Sequence, residues 1–390
     1  MSLRGAAAIV GVGELKPSRH TPGRSSLDLI AEVSRMALAD AALTFADVDG
    51  LLVDPINDGS MLIPSQVGEY LGLNLAFAEM VDLGGASGAG MVWRAAAAIQ
   101  AGQCDTCLCV CVAPREGSGF GWGGGMRPSP RAPDMEFEAP YGALGANFGY
   151  ALIAYRYAHE YGMNERQRAK VAVDQRTNAC ANPNAIFFGT PITVDDVLNS
   201  PVILDPLHML EIVMPCGGGA ALIVTSAKRA RRAGRKPAWL LGAGEHVTHK
   251  SITYAPSLTS SAITAAADKA FDMSGVGRPD VKLASIYDCY TITVMVSLED
   301  AGFCEKGKAG EFVASHDLTY KGDFPLNTHG GQLSFGQPGL AGGMSHVTEA
   351  ARQVMGITGG RQIPDCDVAY VNGNGGIMSE QVSLILGRNT

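Results

Sequence analysis

Two short glycine turns are the first residues of the sequence that could do chemistry. They are residues 84–88 (GGASG) and residues 336–338 (GQP), and each precedes a run of small residues that predicts a helix. The unpaired N–H groups and the positive dipole end of such a helix suit an oxyanion or a thioester carbonyl. Each turn taken alone is explained equally well by a tight turn required for packing.

Nine cysteines form the second candidate group, and four of them lie within residues 104–111 (CDTCLCVC). Metal binding is one interpretation of this cluster. However, Cys107, Cys109 and Cys111 alternate with apolar residues, which is typical of a strand buried on both faces. No second Cys or His pair follows at zinc spacing. The sequence therefore favours buried reduced thiols and predicts no metal site.

The elements that must hold these residues occur twice along the chain. The phrase AAAIVGVGE near the N-terminus, a strand that ends in a glycine turn, returns as AWLLGAGE from Ala238. Each copy precedes a predicted helix, at residues 25–42 and 260–271, and then a strand after Asp47 or Asp280. A small-residue helix and a further strand complete each half. Strands that alternate with helices at this spacing predict two similar parallel sheets, related by a pseudo-twofold axis that could bring both glycine turns into one cleft.

A segment of different composition separates the two copies. It begins GSGFGWGGGMRPSPRAPDM, and helices are predicted at residues 149–161 and 165–180. We expect an inserted loop or lid domain at residues 114–205. The N-terminal half then comprises residues 1–113 and 206–235, with a strand at residues 218–225, and the C-terminal half comprises residues 236–390.

Composition excludes several classes of function. The 390 residues carry 30 Lys plus Arg against 38 Asp plus Glu, a net charge of −8, so nucleic acid is not an expected partner. The densest basic stretch, residues 228–236 (KRARRAGRK), is interpreted as a solvated helix end. No apolar run approaches the roughly 18–20 residues that cross a bilayer. Glu14 and Lys16 follow the apolar start without a cleavage site, and we expect a cytoplasmic protein.

At this point the chain resembles the thiolase superfamily, and within it the thiolase domain of sterol carrier protein x and bacterial lipid-transfer-protein relatives. The resemblance extends over essentially the whole chain. It rests on ordered blocks: GASG at Gly85, EYGMNERQRAKVAV at Glu160, PLHMLEIVMPCGGGAALIV at Pro206, YDCY at Tyr287, GFCEKG at Gly302, NTHGGQLSFGQP at Asn327 and NGNGGIMS at Asn372. It implies an α/β, thiolase-like five-layered αβαβα fold with two pseudo-symmetric halves, usually dimeric or tetrameric.

The chain departs from the family at the catalytic positions. Gly85 stands where thiolases have the nucleophilic Cys, and Gln337 stands where their Gly-His-Pro motif has His. A glutamine amide donates a hydrogen bond but takes no proton, and glycine has no side chain to acylate. YDCY replaces the family's His-Asp-Cys-Phe, and Asn372 and Asn374 lie where a Cys-x-Gly base is expected. The usual acyl-enzyme route is therefore closed.

Retro-aldol cleavage of a 3-hydroxyacyl-CoA needs no acyl-enzyme, only an enolate stabiliser and a base. The resemblance implies such aldolases among the relatives; they use tyrosines, one of them where this chain has Gln337. The predicted catalytic residues are Tyr287, Tyr290, His329, Cys289 and Gln337, with Tyr287 favoured over Tyr290, which matches a family Phe. Asp288 is expected to hold the local backbone. The predicted substrate-binding residues are Gly85, Ser87, Gly336, Asn372 and Gly375.

Three hypotheses for function remain open on sequence. The first is carbon–carbon bond cleavage or formation on CoA thioesters without a Cys acyl-enzyme. The second is a non-catalytic acyl-CoA-binding protein or subunit, and the third is a conventional acetyl-CoA acetyltransferase that uses Cys289 as a displaced nucleophile. Coenzyme A thioester is expected as substrate, with no bound cofactor. Expected partners are a second copy of the chain, in a homodimer or dimer of dimers, and a small acyl-CoA-binding protein built from a zinc ribbon and an OB-fold.

Overall fold

The computed structural model describes residues 2–56, 58–59, 61–116, 129–143 and 145–390. The strands in these residues are β1 (Ala7–Glu14), β2 (Gly50–Val53), β3 (Phe77–Met80), β4 (Thr106–Ala113), β5 (Val202–Leu204), β6 (Leu207–His208), β7 (Gly218–Ser226), β8 (Ala238–Val247), β9 (Leu283–Ile286), β10 (Val368–Gly375) and β11 (Glu380–Gly387). The helices are α1 (Ser26–Asp40), α2 (Ile63–Leu71), α3 (Ser87–Gln100), α4 (Pro133–Phe137), α5 (Ala146–Tyr161), α6 (Glu165–Cys180), α7 (Val194–Leu198), α8 (Ala227–Ala230), α9 (Ile263–Ser274), α10 (Thr291–Asp300), α11 (Ala309–Ser315), α12 (Gly331–Ser334) and α13 (Gly342–Met355).

The two copies of the repeated strand lie side by side at the centre of one mixed sheet. Its nine strands follow the order β3-β2-β4-β7-β1-β8-β11-β10-β9. The halves join where β1 runs antiparallel to β8, with Ala8 opposite Trp239. Outward from this pair, β7, β4 and β2 correspond to β11, β10 and β9, which is the predicted pseudo-twofold order. The prediction of two separate sheets is wrong, because β1 and β8 pair with each other.

The prediction of parallel strands holds for only part of each half. β2 is parallel to β3 and β4, and β9 is parallel to β10. In contrast, β7 is antiparallel to β1 and β4, and β11 is antiparallel to β8 and β10. A parallel connection needs a crossover of a dozen or more residues. Only residues 376–379 connect β10 to β11, so this pair must be antiparallel.

Helices cover the sheet in layers. α1 packs against β1, β4 and β7, α9 packs against β8 and β11, and both helices contribute to one core cluster, whereas α3 and α13 contact strands of both halves and contribute to a second one. Glycines in the two repeated strands allow α1 and α9 to pack closely against the sheet. A Cβ on Gly11 would lie 2.3 Å from the Ala37 carbonyl oxygen, and one on Gly242 would lie 2.0 Å from the Ala270 oxygen. These glycines lie within β1 and β8, so the predicted glycine turn at the end of each strand is wrong, and the glycines instead admit a close helix.

The predicted helices of the first half and of the insertion are confirmed. Ser25 caps α1: its hydroxyl accepts from the Asp28 N–H, and the Asp28 carboxylate accepts from the Ser25 N–H. In the insertion, α5 and α6 occupy the predicted positions, and α6 packs against α10, α11 and α12 of the second half. The glycine-rich start of the insertion, residues 117–128, lies outside the described residues. The division into domains stays a prediction.

The predicted cysteine strand is confirmed as β4, which is buried along nearly its whole length. Cys107, Cys109 and Cys111 all face the core that contains α3 and α13. The basic stretch at residues 228–236 begins in the short helix α8 and continues into a turn. In the described part of the chain, no helix combines the length and apolar character that a membrane span requires.

Candidate active site

The starts of the two central helices meet, as the pseudo-symmetry predicts. A Cβ on Gly343, the second residue of α13, would lie 1.8 Å from the Gly85 carbonyl oxygen. A Cβ on Gly88 of α3 would lie 2.8 Å from the Met344 Cα. Backbones of the two halves therefore touch at the point where the sequence predicts a shared cleft.

The second glycine turn does not itself start a helix, which corrects the prediction for residues 336–338. α13 begins four residues after Pro338. The Gln337 N–H donates to the Met214 carbonyl at 2.9 Å, and the Gln337 carbonyl accepts from the Cys216 N–H at 2.9 Å. The backbone of Gln337 therefore pairs with the first half of the chain instead of starting a helix. Gly336, just before it, adopts a φ of +130°, which favours glycine.

The phenol of Tyr287 fills the space beside Gly85. A Cβ on Gly85 would lie 2.2 Å from the Tyr287 hydroxyl oxygen and 2.4 Å from Cζ, well inside van der Waals contact. The Tyr287 N–H donates to the Asn372 carbonyl at 3.1 Å, which fixes the backbone that carries the ring. Any side chain at position 85 would therefore displace the phenol.

Burial keeps the Tyr287 hydroxyl protonated. The side chain is 3% exposed, and loss of solvent raises its pKa above the usual value of 10.0. Hydrogen-bonding interactions with the amides of Gln337 and Gln332 act in the opposite direction but do not outweigh burial. The site therefore presents a neutral phenol, which is a proton and hydrogen-bond donor near pH 7.

Two glutamine amides lie together beside this phenol. A Cβ on Gly342 would lie 2.5 Å from Gln332 Oε1 and 2.9 Å from Gln337 Cγ, so both side chains pass over this glycine. Gln337 was predicted from the sequence, whereas Gln332 was not. Its signal in the sequence is a polar residue in the NTHGGQLSF block, which also contains His329.

Tyr290 forms a second aromatic wall with Tyr150. Their rings stack with centroids 4.3 Å apart, and the Tyr290 hydroxyl donates to the Asn147 side-chain oxygen. The Asn374 amide donates to the Tyr150 hydroxyl at 2.8 Å. Burial raises the pKa of Tyr290 above its usual range. Tyr150 and Asn147 were missed because both stand in the insertion, far from the motifs in sequence.

Cys289 lies between the two tyrosine groups. Its sulfur is 3.4 Å from the Thr293 hydroxyl and accepts from the Asn374 amide at 4.0 Å. Burial raises the pKa of the thiol to about 12. A thiol with that pKa is almost entirely protonated at pH 7, whereas nucleophilic attack and metal binding require the thiolate.

We expect Cys289→Ala to retain wild-type turnover within about threefold, because no acyl group is carried by this sulfur. Steady-state kinetics on the CoA ester checks this. Iodoacetamide at pH 7.5, followed by mass spectrometry, is expected to label Cys289 only after unfolding. Loss of turnover in Cys289→Ala, together with a trapped acyl thioester on this residue, would contradict the expectation.

His329 lies behind the site. It is 2% exposed, and neither ring nitrogen has a hydrogen-bond partner among the residues that the structure describes. Burial lowers the pKa of the ring well below 6.5, so it is neutral at pH 7. Its ring centroid is 5.1 Å from that of His346, which in turn is 5.9 Å from that of Tyr287. The role of His329 as a base stays a prediction.

Ser87, a predicted substrate-binding residue, lies at the start of α3. The Ser87 hydroxyl donates to the Gly84 carbonyl at 2.7 Å and accepts from the Leu83 N–H at 3.0 Å, so it closes the turn before α3. The Ala86 and Ser87 N–H groups also donate within this turn, to Leu83 and Gly84. These two donors, expected to face an oxyanion, are already engaged.

Three other predicted substrate-binding residues contact neighbouring protein atoms. Gly336 lies against Pro17, and a Cβ on Gly375 would lie 2.0 Å from the Leu83 carbonyl oxygen. The Asn372 amide donates to Gln381 Oε1 at 3.1 Å. Contact of these residues with a substrate stays a prediction.

A pocket of about 500 Å³ opens next to the glutamines. Leu333, which follows Gln332, and Met214, whose carbonyl binds Gln337, both line it. The rest of its described lining is basic or apolar: Arg19, His20, Arg115, Arg176, Phe187, Ile203, Met209, Leu210, Ile212, Val213 and Pro215. Because none of the described lining residues is acidic, the pocket suits a ligand with both negative charge and apolar length.

Comparison with known proteins agrees with this geometry. Residues 244–388 match the family described as thiolase C-terminal domain-like. A steroid side-chain-cleaving aldolase of Thermomonospora curvata is 34% identical over 91% of this chain and 92% of its own length. The 17-hydroxy-3-oxo-4-pregnene-20-carboxyl-CoA lyase of Mycobacterium tuberculosis is 33% identical over 91% of this chain and 93% of its own length.

Solved structures give the same relationship. The Ltp2-ChsH2(DUF35) aldolase superposes with a TM-score of 0.89 at 34% identity, over 99% of this chain and 98% of the other. A monomeric SCP2-thiolase-like protein of Mycobacterium smegmatis shares the fold, with a TM-score of 0.76 at 22% identity, over 99% of this chain and 78% of the other. The chain therefore belongs to the thiolase superfamily, in the SCP2-thiolase-like group that includes the steroid side-chain aldolases.

Proposed function

We propose that the protein is a lyase that cleaves the C2–C3 bond of a 3-hydroxyacyl-CoA by a retro-aldol reaction. One observation carries the proposal: a neutral phenol fills the space into which a side chain at position 85 would project. No acyl-enzyme can form at Gly85, and the phenol supplies a proton donor in its place. The aldolase and lyase relatives support the same reaction class.

In this reaction a base takes the proton of the 3-hydroxyl group. The C2–C3 bond then breaks, its electron pair forms a thioester enolate, and the former C3 becomes a carbonyl group. Protonation of C2 completes the reaction, so the overall change consumes no proton. Tyr287 is suited to donate to the enolate, and the amide of Gln337 provides a further donor beside it. The neutral ring of His329 is the proposed acceptor of the hydroxyl proton, and Tyr290 is proposed to act as a hydrogen-bond donor.

The cationic and apolar pocket is the proposed route for the CoA portion. Arg19, Arg115 and Arg176 supply positive charge for phosphate groups, and apolar side chains line the remainder. Arg176 is held by Ser334 and lies over the Phe187 ring at 3.8 Å, so it is preorganised. Met214, which lines this pocket, accepts from the Gln337 N–H, so we propose that the thioester end lies on that side of the pocket.

The proposed assembly follows the relatives. One related structure is that of an Ltp2-ChsH2(DUF35) aldolase, whose name pairs the aldolase with a ChsH2(DUF35) component. We propose that this chain likewise binds a small zinc-ribbon and OB-fold protein that presents the acyl-CoA. Homodimerisation and a cytoplasmic location are proposed as well.

Turnover tests the proposal directly. A 2-methyl-3-hydroxyacyl-CoA, incubated with the protein alone and with a DUF35-type partner, is expected to give propionyl-CoA and a carbonyl product in equal amounts by liquid chromatography and mass spectrometry. The matched control is the 3-oxoacyl-CoA with free CoA, which a thiolase would cleave and this protein should not. Tight binding without product in both conditions would indicate a non-catalytic carrier. Thiolysis of acetoacetyl-CoA that Cys289→Ala abolishes would indicate an acetyltransferase.

A further inference from the structure

A buried histidine–aspartate pair lies directly behind the two glutamines. His346 Nε2 is 3.1 Å from Asp288 Oδ1, and both side chains are fully buried. Asp288 also accepts from the N–H groups of Gln332 at 2.8 Å and Leu333 at 3.2 Å. The carboxylate therefore holds both His346 and the backbone of the segment that carries Gln332.

Contacts on both sides fix the orientation of the His346 ring. Nδ1 lies 3.2 Å from the Ser285 hydroxyl, which also donates to the His346 carbonyl at 3.0 Å. Nε2 faces the Asp288 carboxylate, so the ring is held between Ser285 and Asp288.

The Gln332 amide lies between this pair and the phenol. Its nitrogen is 3.3 Å from His346 Nε2. Its oxygen and the Tyr287 ring lie over neighbouring glycines of α13: a Cβ on Gly342 would lie 2.5 Å from Gln332 Oε1, and one on Gly343 would lie 3.3 Å from Tyr287 Cε2. Buried polar groups need their hydrogen-bond partners in place, so removal of one partner leaves its neighbours unsatisfied.

We infer that Asp288 and His346 are positioning residues that hold Gln332, and through it the Tyr287 phenol, in the orientation needed for proton transfer to the enolate. This inference rests on the proposed function. It assigns roles to the polar chain Asp288–His346–Gln332–Tyr287, in which only Tyr287 would touch the substrate.

Two substitutions of the same histidine test the inference. The amide of His346→Gln reaches the position of Nε2 and can still donate to Asp288, whereas the shorter amide of His346→Asn reaches only the position of Nδ1. We expect His346→Gln to keep kcat within about fivefold of wild type and His346→Asn to lose about 50-fold, with KM changed less than threefold in both. Their thermal unfolding midpoints should agree.

Exchange of the C2 hydrogens of propionyl-CoA in D₂O, followed by NMR, isolates the proton transfer. His346→Asn should slow this exchange by the same factor as kcat, while His346→Gln should not. If either histidine variant fails to fold, Gln332→Met removes the amide between His346 and Tyr287 and should show the same loss of kcat. Equal rates for the two histidine variants, or a fully active Gln332→Met, would overturn the inference. A wild-type protein without exchange or cleavage would overturn the proposed function, and the inference with it.

Discussion

Replacement of Tyr287 by Phe is expected to reduce kcat for C2–C3 cleavage by about 1,000-fold. The substitution removes only the hydroxyl that lies beside Gly85, and the ring still fills the same space. General acid catalysis and a single enolate donor each contribute about 10²–10³-fold or more in other enzymes, and one phenol would supply both. Single-turnover release of propionyl-CoA measures the effect, and KM is expected to change little.

Tyr290→Phe is the matched control for this prediction. Its hydroxyl is buried like that of Tyr287, but it donates to Asn147 instead of pointing at the space beside Gly85. A loss of about 10-fold is expected. If Tyr287→Phe keeps most of the activity while Tyr290→Phe loses it, the assignment of the two tyrosines is reversed and the proposed proton donor is wrong.

The fold was largely predictable because its signals are local. The capped helix after β1, the buried cysteine strand β4 and the helix α6 each follow from residues close together in sequence. Strand direction was not predictable at β7 and β11. The direction in which two strands pair depends on the length of their connection and on strands that are distant in sequence. The insertion separates β7 from its partner β4, so the sequence does not indicate that these two strands pair.

The candidate site was predictable only where the sequence departs from the family. Gly85, Gln337 and Tyr287 were identified because they replace thiolase catalytic residues, and the structure brings all three together. His346 lies in a helix, ten residues from Gly336, and its partner Asp288 lies on another element. No pattern in one sequence connects such residues, because their contact arises only when the halves pack.

Replacement of Gly85 by Ala is expected to reduce kcat by at least about 100-fold and to lower stability by about 1–3 kcal/mol. The new Cβ would lie 2.2 Å from the Tyr287 hydroxyl oxygen, so the phenol must move by more than 1 Å to restore contact distance. Cleavage kinetics and urea unfolding measure the two effects. Gly360→Ala is the control, since a Cβ there meets no atom of the described residues within 4 Å and should change neither quantity.

A double substitution shows whether the clash with Tyr287 causes the loss of stability in Gly85→Ala. In a Tyr287→Ala background the space beside Gly85 is empty, so Gly85→Ala should then cost almost nothing in the free energy of unfolding. The coupling energy of this cycle measures how firmly the phenol occupies the thiolase nucleophile position. A Gly85→Ala cost that is equal in both backgrounds would mean that residue 85 and Tyr287 do not compete for space. The loss of the acyl-enzyme route would then need another explanation, since a Cys at position 85 could coexist with the phenol.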